Sequence, residues 1–235
     1  MSIDAFLQTH RVPRLSSEER SALEGAIART VRYDARAVIV RENVPLRQCT
    51  LLLKGFIHRY KMTTDGKRQI LAFHIPGDFV DLHSYPLKHL EHSVAASTAV
   101  EVAVFPHAAV RELTAQSTRI TEVLWRSTLV DAAINREWMV SIGARGAAAR
   151  VAHLFCELQL RLDRIGGSDR DGFDLPMTQA DLADALGLTP VHTNRMLREL
   201  REQGLAEFRD HHVTIGDFGR LREFADFDPG YLFFD

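Results

Sequence analysis

Cysteine is nearly absent from these 235 residues: Cys49 and Cys156 stand far apart and form no CxxC pair. Two thiols cannot build a disulfide framework, nor a thiolate metal site by themselves, so both read as ordinary reduced side chains. No apolar run approaches the roughly 18 to 20 residues that cross a bilayer. The opening MSIDAFLQTH also lacks the basic-then-apolar layout of a secretory signal. These absences lead us to expect a soluble, cytoplasmic chain with no membrane partner. Internal repeats and low-complexity tracts are missing too. So is an excess of positive charge, with 29 Lys+Arg against 31 Asp+Glu. Residues 145–235 hold 11 basic and 16 acidic side chains (−5), which leaves 18 against 15 (+3) for residues 1–144. A nucleic-acid contact in the C-terminal part would have to come from a local basic face on an acidic domain.

The chain is 46% hydrophobic and long enough to bury a core in one large or two small domains. Residues 16–30, SSEERSALEGAIART, read as a short helix opened by Ser residues ahead of two glutamates. From Tyr33 to Phe105 short β-branched or aliphatic runs (37–40, 50–60, 69–75 and 100–105) alternate with turn signals such as TTDGK and PGD. That spacing suggests an antiparallel barrel or jelly roll, a fold that often holds a small molecule between its sheets. HAAVRELTAQ reads as a short helix after Pro106. A long helix without proline or glycine follows from Thr118 to Ile142, with Ile120, Leu124, Ser127, Asp131, Ile134, Trp138 and Ser141 at alternating steps of four and three. The apolar members of this stripe are candidates for packing against a second protomer; a helix packed only within its own chain is the alternative. Gly143 and Gly146 break the rhythm and mark a domain boundary. They are too sparse for a phosphate-binding loop. Residues 147–164 form an amphipathic helix with Val151, Leu154, Phe155, Leu158 and Leu162 on one side; GGSDRDG reads as a loop and FDLP as a short strand.

Thr178–Leu200, TQADLADALGLTPVHTNRMLREL, carries two helical patterns around a tight GLT turn. Thr178 with Asp181 three residues on is an N-cap signature, and Leu182, Ala183 and Leu186 follow at core-facing spacing. Gly187 supplies the freedom for a sharp turn, Thr189 can cap the second helix, and Pro190 suits its first position. Thr193, Met196, Leu197 and Leu200 then face inward. This places Pro190, Val191, His192, Asn194, Arg195, Arg198 and Arg201 outside, the shape of a helix-turn-helix whose second helix enters the DNA major groove. Arg195 can make the bidentate contact to guanine, Asn194 or His192 can bond a base edge, and Val191 can touch a thymine methyl. Arg198 and Arg201 suit phosphate. LAEFRDHHVTIG reads as strand, turn and strand with Arg209, His211 and His212 at the tip, like the wing of a winged helix.

RVAHLFCELQLRL, LPMTQADLADALGLTPVHTNRMLRELREQGL and an upstream β-rich region containing GDFVDL together resemble the Crp/Fnr family of bacterial transcription regulators, from about residue 20 to 220. The resemblance implies an α+β chain: an N-terminal antiparallel, jelly-roll-like β-roll of the cyclic-nucleotide-binding type (1–117), a long dimerisation helix (118–144) and a C-terminal winged helix (145–235). Thr189 joins the residues listed above as DNA-binding, and Ile120, Leu124, Ser127, Ile134 and Trp138 become the dimer-helix candidates. Double-stranded DNA, a second copy, an effector of unknown identity and RNA polymerase are the partners it implies. Cyclic-nucleotide-binding members carry a glutamate for the ribose and an Arg-Ser pair for the phosphate. Aligned from Gly77 without gaps, Leu82 and His92-Ser93 stand there. Leu82 cannot accept a hydroxyl and a neutral His92 lacks the permanent fork, which disfavours cyclic AMP or GMP. Gly77, Asp78, Leu82, His83, His92 and Ser93 remain the effector-pocket candidates. The oxygen-sensing branch holds an iron–sulfur centre on N-terminal cysteines, and none precedes Cys49. Well-known members have a glutamate where Val191 sits, so a different half-site is expected.

His58, His74, His83, His89 and His92 crowd the β-rich part, which admits a metal, haem or pH sensor but shows no His-x-His or HExxH arrangement. Three exposed histidines on a loop would look the same. Asp78 and Asp81 read as turn and capping groups. No nucleophile with a paired base and no three-ligand metal set is visible, so neither a catalytic nor a metal site is expected. The competing reading is a cupin-like jelly roll that binds a small molecule or metal, with an accessory helical domain; stoichiometric bound metal would favour it.

Overall fold

The computed structural model describes residues 3–9, 14–169 and 171–234. The first elements are α1 (Asp4–Thr9), α2 (Ser17–Gly25), β1 (Arg29–Tyr33), β2 (Val38–Val40), β3 (Gln48–Lys54), β4 (Ile57–Met62), β5 (Arg68–His74), α3 (Ser84–Leu87), β6 (Ser93–Ala96), β7 (Val100–Pro106), α4 (His107–Gln116) and α5 (Thr118–Ala144). The helix expected over 16–30 is shorter: Ser16 and Glu19 form a capping box, and the helix ends before Arg29–Tyr33 pairs antiparallel with β7. The alternating RTVRY and the small-residue SVAA strands, like α1, were not among the expected elements.

The strands make two sheets, β1-β7-β3 and β2-β6-β4-β5. Alternation along β3 and β7 sends side chains into two different cores. Leu52, Val100 and Val102 join Val40, Ile57, Val80, Val94 and Ala96, so members of both sheets share one core. Cys49, Leu51, Ala103 and Phe105 meet Phe79 from the loop after β5 and Phe6, Leu23, Val110, Leu113, Ile120 and Leu124 from the helices. A strand buried on both faces has no polar face, which is why VEVAVF reads as a near-continuous apolar run. The antiparallel, jelly-roll-like β-roll expected from the sequence is the observed fold.

The chain divides into two compact units, Met1–Lys61 with Ala72–Ala132, and Met62–Leu71 with Ala133–Phe233. The long helix runs Thr118–Ala144, the bounds expected for it, and its residues divide between the two units. Gly143 lies inside it, and the break falls at Gly146, the N-cap of the next helix.

The phase of the expected dimer stripe is corrected. Ile120, Leu124, Ser127, Ile134 and Trp138 are all buried within the single chain. Ile120 and Leu124 fill the helix-side core, and Asp131, one step along the stripe, binds Arg59 Nη1 at 2.6 Å. Asp131, a polar member of the stripe, thus has a partner in its own chain. Trp125 (65% exposed), Leu129 (54%) and Met139 (72%) lie on another face, with Ala132 and Arg136 between them in the same four-three rhythm.

The second unit holds α6 (Ala147–Asp163), β8 (Ser168–Asp169), β9 (Gly172–Asp174), α7 (Gln179–Leu186), α8 (Pro190–Glu202), β10 (Ala206–Arg209), β11 (His212–Ile215), α9 (Phe218–Phe224) and a 3-10 turn (Pro229–Leu232). Val151, Leu154, Phe155, Leu158 and Leu162 of α6 are buried as their spacing requires. The sheet order is β10-β11-β9-β8. The stretch read as a loop, GGSDRDG, contributes β8, whose Ser168 and Asp169 pair with Phe173 and Gly172; Arg170 in that stretch lies outside the described residues.

Candidate nucleic-acid interface

α7 starts where the sequence says it must. Thr178 Oγ1 accepts from Asp181 N at 3.1 Å while Asp181 Oδ2 accepts from Thr178 N at 3.0 Å, a reciprocal capping box. Gly187 closes the helix at φ 64°, a left-handed conformation that costs glycine little. Thr189 then caps α8, its side chain accepting from His192 N at 3.2 Å, and Pro190 takes the first position. Thr193, Met196, Leu197 and Leu200 are buried, which fixes the rotation of α8.

With that rotation set, Thr189, Pro190, Val191, Asn194, Arg195, Arg198 and Arg201 are exposed and His192 is half-buried. Val191 is 83% exposed. The basic residues differ in how they are held. Arg198 donates to Glu202 at 2.7 Å and Arg201 lies 4.0 Å from Glu207, both exposed pairs that solvent screens. Arg195 makes no ion pair or hydrogen bond among the described residues, so its whole fork is available to a ligand. The wing is β10 and β11, joined by a two-residue turn in which Asp210 and His211 both have positive φ (50° and 62°). Such turns match the twist of a hairpin. Arg209 stands exposed beside this turn, and His211 is anchored by its Nδ1 to Met177 O at 3.1 Å.

Two features escaped sequence reasoning. Gln179, the first residue of α7, accepts from Asn194 Nδ2 at 3.1 Å. Arg68, in the hairpin segment grouped with this unit, reaches α7 with Nη2 2.6 Å from Asp181 Oδ1 and Nε 2.7 Å from Asp184 Oδ2. Only the DxxD spacing hinted at a cation there, and nothing in it named which one.

The effector-pocket candidates do not line an open pocket together. Leu82 is buried in the helix-side core with Cys49 and Phe105. Gly77 has φ +97°, and a Cβ there would sit 2.7 Å from Ala5 C, so the close approach that needs glycine is to the backbone of α1. Asp78 Oδ2 accepts from Ile75 N at 3.0 Å, the turn role expected of it. Asp81, expected as a turn or capping group, is instead buried and accepts from Thr50 N. Ser93 Oγ accepts from Glu42 N at 3.2 Å. His83 and His92 do meet, ring centroids 5.5 Å apart, and His92 is buried rather than on an exposed loop; His89 is exposed. Burial first, then the nearby Arg59 charge, pushes His83 down to about 4. Burial likewise lowers His74 and His92, and it raises Asp81 to about 7. Among the described residues no three His, Cys, Asp or Glu side chains form a group that could hold a metal ion. No described helix is long and apolar enough to cross a membrane.

Comparison with known proteins agrees with this geometry. Residues 30–117 match the cyclic nucleotide-binding domain and residues 149–224 the Crp-like helix-turn-helix domain. The chain is 27% identical over 219 residues to the transcriptional activator protein FnrL of Cereibacter sphaeroides, covering 92% of this chain and 87% of that protein. It is 26% identical over 208 residues to the regulatory protein HlyX of Actinobacillus pleuropneumoniae, covering 88% and 86%. The structure of FixK2 from Bradyrhizobium japonicum superposes with a TM-score of 0.75 at 26% identity, over 83% of this chain and 96% of that one. With a β-roll, a shared long helix and a capped helix-turn-helix beside a wing, in that order, the chain belongs to the Crp/Fnr family of transcription regulators.

Proposed function

We propose that this regulator works as a homodimer that presents two copies of α8 to a two-fold symmetric operator. Arg195, Asn194 and Val191 meet base edges, while Arg198, Arg201 and Arg209 meet phosphates. The observation that carries the reading is the exposed start of α8, where Val191 and an unpaired Arg195 stand clear on a helix whose rotation four buried residues fix. Val191 offers no hydrogen bond, so its base pair is selected by apolar contact, as with a thymine methyl. The dimer seam is the face of the long helix that carries the exposed Trp125, Leu129 and Met139 with the half-buried Ala132, a heptad-like stripe. Two recognition helices must then reach half-sites about one helical turn, roughly 34 Å, apart.

The β-roll acts through an effector other than a cyclic nucleotide, or without one. Leu82 is core, Gly77 packs against the backbone of α1, and burial holds His92 below its ordinary pKa. Cys49 and Cys156 are two buried thiols and supply too few ligands for a four-thiolate iron–sulfur centre. An effector, where one acts, can shift the equilibrium between matched and unmatched helix spacings only by its differential affinity for the two.

The test is selection from a random duplex library with purified, ligand-free protein at fixed moderate salt. A two-fold symmetric motif is expected. A retained pool with a single unsymmetrical half-site would overturn the dimeric reading, and a pool with no motif would show that an effector must first set the spacing.

A further inference from the structure

Asn194 is not alone on the reading face. Its Nδ2 donates to Oε1 of Gln179 at 3.1 Å, which joins the fifth residue of α8 to the first residue of α7. Both side chains are exposed, and Gln179 Nε2 makes no hydrogen bond within the described residues.

The bond matters because an asparagine amide has two different ends. One is an acceptor oxygen and the other a pair of donors, and a half-turn about the last side-chain bond exchanges them. A base edge distinguishes the two. Adenine offers N6–H to an acceptor and N7 to a donor, and cytosine offers only the N4 donor. Which end of Asn194 reaches the groove therefore decides what it selects. Gln179 Oε1 can only accept, so it holds the orientation in which Nδ2 faces α7 and Oδ1 faces away. One N–H of Nδ2 remains free for a base.

The same pair leaves the Gln179 amide nitrogen, with two donors, facing outward at the start of α7. Phosphate oxygens accept from amides of this kind, and such contacts set register without reading sequence. We propose that Gln179 is a specificity-determining positioning residue: a DNA phosphate orients Gln179, Gln179 orients Asn194, and Asn194 reads the base. This rests on the reading of Asn194 as a base-contacting residue. A solvent-facing amide pair contributes about two- to tenfold in preference between the two Asn194 orientations.

Two substitutions separate the halves of the relay. Gln179→Glu keeps the acceptor for Asn194 but turns a negative charge toward phosphate. Gln179→Lys keeps a phosphate donor but removes the acceptor. Each is measured by fluorescence anisotropy on the selected operator and its single-base variants at one salt concentration, beside wild type and Asn194→Ala. Gln179→Glu is expected to weaken binding on every sequence while retaining the preference at the base pair that Asn194→Ala alters. Gln179→Lys is expected to bind the best site within about twofold of wild type and to flatten that same preference by about two- to tenfold. Wild-type preference in Gln179→Lys at that base pair overturns the positioning role and leaves Asn194 a reader. If Asn194→Ala changes preference at no position, Asn194 is not a reader and the relay falls with it.

Discussion

The indole Nε1 of Trp138 donates to Oε2 of Glu157 at 3.0 Å, which ties the last turns of the long helix to the middle of α6. Glu157 is fully buried and also accepts from Tyr231 OH at 2.9 Å and from Arg161 Nη1 at 3.0 Å. Three elements thus converge on one carboxylate. Glu157→Ala should cost about 3–5 kcal/mol in urea denaturation, because it removes the buried carboxylate that a guanidinium and two further donors share. Tyr231→Phe should cost about 0.5–1.5 kcal/mol. Burial raises the Glu157 pKa above its ordinary 4.5, so its contribution is greatest below that value and is lost as pH rises through the folded-state pKa. Glu157→Gln should remove that part of the pH dependence.

Asp81 and His83 predict opposite slopes in overlapping pH windows. Asp81 takes up a proton more readily when folded, from 3.8 to about 7, so its contribution falls as pH rises between those values. His83 loses its proton more readily when folded, from 6.5 to about 4, so its contribution falls as pH drops through that range. Denaturation from pH 4 to 7 should show Asp81→Asn gaining on wild type toward pH 7 and His83→Asn gaining toward pH 4. Parallel curves would refute both assignments.

Arg68 neutralises Asp181 and Asp184 on the helix that leads into the turn. Arg68→Ala leaves two half-buried carboxylates within a Debye length, about 10 Å at 0.1 M salt, of any phosphate that α7 meets. DNA affinity should fall about two- to fivefold, more at low salt than at high. Adding Asp184→Asn should recover part of the loss.

Arg195 and Arg198 should fail in different ways. Arg195→Ala is expected to cost about 1–3 kcal/mol at a single base pair. Arg198→Ala should weaken all sequences alike and reduce the salt slope by about one. Equal loss on every sequence from Arg195→Ala would make it a phosphate contact.

The two faces of the long helix can be told apart by what each variant breaks. Trp125→Ala with Leu129→Glu should shift sedimentation toward the monomer with little loss of protomer stability. Leu124→Ala should cost about 2–5 kcal/mol of stability, since Leu124 is 5% exposed in the core.

The helix-turn-helix was legible because each of its constraints is local: Thr178, Gly187, Thr189 and Pro190 mark boundaries within a few residues, and four apolar positions set the rotation. The strands β3, β5 and β7 were legible from their aliphatic runs. The phase of the long helix was not, because alternating steps of four and three also fit the stripe two residues away, and a sequence cannot show that Asp131 meets Arg59 across 72 positions. For the same reason Gly77 stood among the effector-pocket candidates when its close neighbour is Ala5. Gln179 and Arg68 act through partners 15 and more than 110 residues away, which no periodicity reports.

A helix with one buried face and one proposed dimer face has few positions that evolution can treat as neutral. Along Thr118–Ala144, changes at Ile120, Leu124 and Trp138 should lower the amount of protein a cell retains. Changes at Trp125, Leu129 and Met139 should leave that amount intact and abolish its control of reporter genes. A saturation scan of this one helix should therefore yield two offset periodic traces, one in abundance and one in transcriptional output, and the displacement between them would measure the angle between the faces.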